Sequence, residues 1–178
     1  MDALNRLTAE EYKTAPKHPV VLVMENIRSM LNVGSVFRTG DAFRIEAIFL
    51  CGYTPQPPHR EINKTALGAT ESVSWQYFSD ARAAIQQLRE QGYRIWALEQ
   101  AEESVSLEHF NWSGTEKIAF VLGNEAEGVE SETLALCDAC VEIPQFGMKH
   151  SLNISVAAGV LLWQLMQLKL HSSTIEQI

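Results

Sequence analysis

Apolar residues in this chain come in short runs, separated by segments with helical spacing. Val20–Met24 (VVLVM), a β-branched run after Pro19, predicts a buried strand. Asn32–Phe43 follows with Val33, Val36, Phe37 and Gly40 on one helical face. Ile45–Cys51 (IEAIFLC) predicts a second strand, ended by Gly52 and by Pro55, Pro57 and Pro58; residues 53–60 predict an irregular loop. Val73–Phe78 predicts a third strand. Asp80–Gln91 predicts a helix capped by Ser79 or Asp80, with Ala84, Ile85 and Leu88 sharing a face and Gly92 stopping it. Tyr93–Leu98, Ile118–Leu122 and Ala139–Ile143 complete six strands, with a short helix, Glu130–Cys137, between the last two. Ser151 opens a final helix that runs to about Leu170.

Strands alternating with helices predict an α/β fold with a mostly parallel six-stranded sheet. Runs such as VVLVM and IAFVL are apolar on both sides, as helices on both faces of the sheet require. The final helix is apolar nearly all round: Ile154, Val156, Val160, Leu161, Leu162, Leu165, Met166 and Leu168 cover more than one stripe. Its second side is covered either by the core or by another subunit.

Composition narrows the classes. The chain has 178 residues, 46% hydrophobic and 20% charged, which predicts one domain over 1–178 with a polar, helix-like extension at 1–18 and no appended domain. Three cysteines, Cys51, Cys137 and Cys140, are too few and too odd for a secreted disulfide framework, and point to a reducing cytoplasm. No signal peptide or membrane span is expected; Ser155, Gln164, Gln167 and Lys169 interrupt the longest apolar stretch. Net charge is −8, but residues 1–64 carry +1 and residues 65–178 carry −9. A polyanion would therefore meet the first third, through Arg28, Arg38, Arg44, Arg60 and Lys64; uneven surface charge explains the same split.

Three segments carry candidate chemistry. In the first, Asn26 to Phe43, a helix over 32–43 places Gly34, Ser35, Arg38 and Asp41 on one face. That small polar surface admits a close ligand and offers a guanidinium to phosphate. An Arg38–Asp41 surface pair and an Asn32 helix cap are the plain alternatives. In the second, Phe120 to Val129, Gly123 and Gly128 bracket a turn after a buried strand, with Glu125 where an open sheet binds ligands. An acidic surface turn fits equally. The run lacks the lysine of a phosphate-binding P-loop, and no GxGxxG exists. In the third, Val141 to Ser155, a strand passes through a glycine loop to a helix N-terminus, where Ser151 and Asn153 either cap or contact a ligand. His150 is a lone loop histidine, and Cys137-x-x-Cys140 lacks the second pair a zinc site needs, so no metal is expected.

Taken in order, N-x-G-x-x-x-R (Asn32, Gly34, Arg38), L-G-N-E-x-x-G (Leu122 to Gly128) and I-P-x-x-G-x-x-x-S-L-N-I-S (Ile143 to Ser155) resemble the signature of the SpoU (TrmH-like) RNA ribose methyltransferases of the SPOUT superfamily. The resemblance covers roughly residues 19–170. It implies a C-terminal deep trefoil knot, a homodimer, S-adenosylmethionine as donor with S-adenosylhomocysteine as product, and a ribose 2′-hydroxyl of RNA as acceptor. Transfer RNA is the first expectation and ribosomal RNA the second; a catalytically silent RNA-binding protein and a different nucleotide or phosphosugar enzyme are the rivals. It implies that Arg38 serves the reacting hydroxyl, as base or as electrostatic partner, while Asn32, Glu125, Ser151 and Asn153 shape the site. Leu98, Glu99, Leu122, Gly123, Asn124, Ile143, Phe146, Ser151 and Leu152 are the implied donor contacts. Arg28, Arg38, Arg60 and Lys64 are candidate RNA contacts.

Overall fold

The computed structural model describes residues 7–148 and 151–175. Seven strands, β1 (His18–Glu25), β2 (Ile45–Cys51), β3 (Ser74–Phe78), β4 (Arg94–Leu98), β5 (Val105–Ser106), β6 (Ile118–Leu122) and β7 (Ala139–Glu142), form one sheet in the order β3-β2-β1-β6-β4-β7-β5. Every adjacent pair is parallel. The expected parallel α/β architecture is present, with seven strands in place of six. The extra strand, β5, has two residues, too short to leave a periodic signal.

Alternate residues of each strand point to opposite faces, and helices cover both. On one face Leu22, Met24, Ile48, Leu50 and Phe120 pack with Val33, Val36 and Phe37 of α2 (Met30–Ala42) and with Ile154, Ala158, Leu161, Leu162 and Leu165 of α7 (Ile154–Ile175). Two further helices on that side, α3 (Arg60–Ala66) and α4 (Ala69–Ser72), contribute Ile62, Ala66 and Ala69. On the other face Val21, Val23, Phe49, Ala97 and Val121 meet Ala84, Ile85 and Leu88 of α5 (Ala81–Glu90) and, at the margin, Leu134 of α6 (Ser131–Leu134). The remaining helix, α1 (Ala9–Thr14), falls in the predicted N-terminal extension and starts in a reciprocal capping box between Thr8 and Glu11.

Three differences from the sequence expectations bear on function. Arg60, at the end of the expected 53–60 loop, instead opens a helix, α3, which also carries Lys64. Only Ile62 and Ala66 of that helix face inward, so its short apolar signal is lost among polar neighbours; His59 Nδ1 caps it by accepting from the Glu61 N–H at 3.1 Å. The close approach at Gly34 is made by α3 and not by a ligand: a Cβ there would lie 2.2 Å from the Ile62 carbonyl oxygen. The final helix begins at Ile154 and not at Ser151, because Asn153 Oδ1 takes the Ser155 N–H at 2.9 Å and caps it.

The C-terminal strands have an unusual relation. Leu98 of β4 and Val105 of β5 both pair with Val141 of β7, from opposite sides. Residues 99–104 therefore arch across β7 where the chain leaves that strand after Glu142.

Candidate active site

The C-terminal tips of β4, β6 and β7 surround a cavity of about 540 Å³, within the range that holds small-molecule ligands. Leu98, Glu99, Leu122, Gly123, Asn124, Glu125, Ile143, Ser151 and Leu152 line it, so the structure brings together most of the expected donor contacts. Phe146 is the exception: it is 99% exposed and not part of the lining. Gln145, its neighbour, faces the cavity instead.

The β6 loop is built around two glycines. Asn124 and Gly128 exchange backbone hydrogen bonds of 3.0 and 2.8 Å. Gly128 adopts φ +71°, a left-handed conformation, and a Cβ on Gly123 would sit 2.2 Å from the Gly128 carbonyl carbon. Glu99 holds this turn from β4: its carboxylate accepts from the N–H groups of Val129 and Gln100, each at 3.0 Å. Asn124, 5% exposed, accepts from Ala126 N at 2.8 Å and donates to the Asn26 carbonyl at 3.0 Å and to Tyr53 Oη at 3.1 Å. The turn is thereby tied to the ends of β1 and β2. Behind it, buried Glu25 accepts from Thr133 Oγ1 at 2.5 Å and from the Glu130 N–H at 2.9 Å. Burial pushes its carboxyl above the usual value, against those two hydrogen bonds.

The three sequence segments meet at one set of side chains. Asn32 Nδ2 donates to Glu125 Oε1 at 2.6 Å, and Asn153 Nδ2 donates to Asn32 Oδ1 at 3.1 Å. Asn32 does not cap α2; Ser29 Oγ does, by accepting from the Asn32 N–H at 3.2 Å, which leaves the Asn32 amide free for this bridge. Arg38 lies on α2, exposed and outside the cavity lining, with no hydrogen-bond or ion-pair partner among the described residues. The alternative Arg38–Asp41 surface pair does not form: Asp41 Oδ1 accepts from Ser72 Oγ at 2.5 Å. Of the other cations, Arg60 is exposed, Lys64 pairs with Glu61 at 2.7 Å, and Arg28 stands 4.0 Å from Glu127 on the cavity rim. His150 lies outside the described residues. The three cysteines are free; burial raises all of them, Cys137 to about 12, so they remain thiols.

The model of the SpoU rRNA Methylase family matches residues 19–163, and the chain belongs to that family. The 23S rRNA (guanosine-2′-O-)-methyltransferase RlmB of Neisseria meningitidis is 32% identical over 144 residues, 81% of this chain and 56% of that protein. The tRNA (guanosine(18)-2′-O)-methyltransferase of Thermus thermophilus is 28% identical over 97% of this chain and 87% of its own. Among solved structures, the A. aeolicus TrmH/SpoU tRNA modifying enzyme superposes with a TM-score of 0.81 at 21% identity, over 93% of this chain and 82% of that one, and shows the same fold.

Sequence reasoning missed Gln100, Glu127, Val129, Glu142 and Gln145 in the lining, and Asn26 and Tyr53 behind it. Position in known loops could have found the first group. Asn26 carried a signal in its place just past β1, where φ is +55°.

Proposed function

We propose that the protein is an S-adenosylmethionine-dependent RNA methyltransferase acting on a ribose 2′-hydroxyl, with transfer RNA as its first substrate class. The observation that carries this is the Asn153–Asn32–Glu125 bridge, which joins all three motifs at the edge of a ligand-sized cavity. The Thermus tRNA enzyme, a relative matched over most of both chains, supports the choice of RNA.

The cavity fits the donor. Leu98, Leu122, Ile143 and Leu152 supply apolar walls for an adenine ring, and Glu99, Glu125, Glu127 and Glu142 supply carboxylates suited to a cationic ligand. The bound donor would supply a methyl group already activated on a sulfonium. The chain's own work is then to position the hydroxyl and stabilise the charge that grows on its oxygen. Asn32 and Asn153, locked together, hold the acceptor side. Arg38 brings the guanidinium, matched to an alkoxide beside a phosphate.

Arg38 stands outside this chain's cavity, so in our reading it serves the site of a second copy. The exposed apolar stripe of α7 supplies the contact: Val156, Val160, Trp163 and Leu170 are 51%, 39%, 57% and 62% exposed, while the opposite side of the helix is buried. A homodimer across this stripe places α2, which packs on α7, at the interface. We also propose that the chain beyond β7 threads the 99–104 arch as a trefoil knot. Among the described residues no helix is long and apolar enough to cross a membrane, and cytoplasmic action on RNA accords with the free cysteines. The test is transfer of labelled methyl from S-adenosylmethionine to total RNA from cells lacking the gene. Label recovered in 2′-O-methylnucleosides supports the reading; donor binding with no label in any RNA favours a silent binding protein.

A further inference from the structure

The C-terminal edge of the sheet has two halves. The cavity occupies the tips of β6, β4 and β7; the tips of β1, β2 and β3 carry a different surface. There Tyr53, 51% exposed, is held at both ends: its backbone N–H donates to Asn26 Oδ1 at 3.3 Å and its hydroxyl accepts from Asn124 Nδ2 at 3.1 Å. The Arg28 guanidinium carbon lies 5.9 Å from the centre of its ring. Tyr77 of β3, 44% exposed, donates its hydroxyl to the Gly52 carbonyl at 3.0 Å, so a second ring flanks the same turn. Asn124 belongs to the cavity lining, which leaves Tyr53 one side chain away from the donor site.

Resting on the methyltransferase reading, we propose that Tyr53 and Arg28 form a stacking platform for a nucleobase of the RNA, at or next to the nucleotide whose ribose is methylated. The chemistry favours a base over a phosphate. Glu127 sits 4.0 Å from Arg28 and offsets its charge, while the ring and the guanidinium plane offer flat faces. Single-stranded bases are taken up by such surfaces, with stacking that tolerates sequence. The ring is immobilised before RNA arrives, so little conformational freedom is lost on stacking. The Asn124 bond couples base capture to the loop that lines the donor cavity, which fixes the spacing between base and methyl group.

The experiment compares wild type, Tyr53→Phe, Tyr53→Leu and Arg28→Gln. Filter binding to total RNA from cells lacking the gene is read beside calorimetry with S-adenosylhomocysteine. Tyr53→Leu is expected to weaken RNA binding about ten-fold, and Arg28→Gln about three-fold. Tyr53→Phe keeps the ring and stays near wild type, and product affinity is unchanged in all three. RNA binding equal to wild type in both Tyr53→Leu and Arg28→Gln overturns the platform, as does equal weakening in Tyr53→Phe or a wild type that binds no RNA. A parallel loss of product affinity also overturns it, because it assigns these residues to holding the loop. Wild type that binds RNA through Tyr53 but transfers no methyl group keeps the platform and removes the enzymatic reading.

Discussion

Asn32 and Glu125, 93 residues apart in sequence, are joined by a 2.6 Å hydrogen bond between the start of α2 and the turn after β6. Asn153 completes the bridge from the residue that caps α7. These three residues join all the motif segments through side-chain hydrogen bonds. We expect Asn32→Asp, which sets a carboxylate against Glu125, to lower methyl transfer by about ten- to a hundred-fold. Thermal unfolding should move little, because the hydrogen bond is exposed to solvent. Steady-state assay beside a melting curve checks both halves.

Gly34 tests the α2–α3 packing. Its absent side chain lets the Ile62 carbonyl and Thr65 approach α2, and Thr65 Oγ1 donates to the Leu31 carbonyl at 2.8 Å. The obstruction to a Cβ at this point is largely backbone. Gly34→Val should therefore destabilise by about 1–3 kcal/mol, the range for overpacked interiors, measured by urea unfolding.

Much of this was legible in the sequence, and the exceptions share a cause. β1, β2 and β6 are dense apolar runs, since both of their faces are covered, and their limits were found to within two residues. α3 was missed because it buries only two side chains, and β5 because it has only two residues, both half-buried, too few for a period to register. The conjunction of Asn32, Glu125 and Asn153 followed from motif order, not from any local pattern; no spacing rule joins residues so far apart. Gly34 was misread because a glycine that admits a neighbouring helix and one that admits a ligand look identical in sequence. Phe146 was misplaced by one position, since the strand ends at Glu142 and the loop beyond it has no periodicity to say which residues face inward.

His18 gives a pH prediction. Burial and then Lys169 and Arg44 lower its imidazole to about 4, and Lys169 Nζ lies 2.8 Å from His18 Nδ1. The unfolded chain binds this proton near the ordinary value of about 6.5 and the folded chain does not. The contribution is complete above that value and is lost as pH falls toward 4. Thermal midpoints measured at pH 7.5 and 5 should separate more in wild type than in His18→Gln.

The α7 stripe tests the assembly. Trp163, 57% exposed, is its largest side chain. Trp163→Glu should convert a dimer to monomer in sedimentation velocity, with helical content retained, and should remove methyl transfer, because the cavity then lacks the second copy's Arg38. A monomeric wild type, or a dimer unchanged by Trp163→Glu, would separate the stripe from assembly.

The most direct test is Arg38→Ala, read by single-turnover methyl transfer and by calorimetry with S-adenosylhomocysteine on the same preparation. The account predicts a fall in rate of about a hundred- to a thousand-fold, as when one charge-stabilising donor is removed, with product affinity nearly unchanged, because Arg38 lies outside the cavity of its own chain. A variant that keeps most of its rate, or one that loses product binding in step with rate, would contradict it.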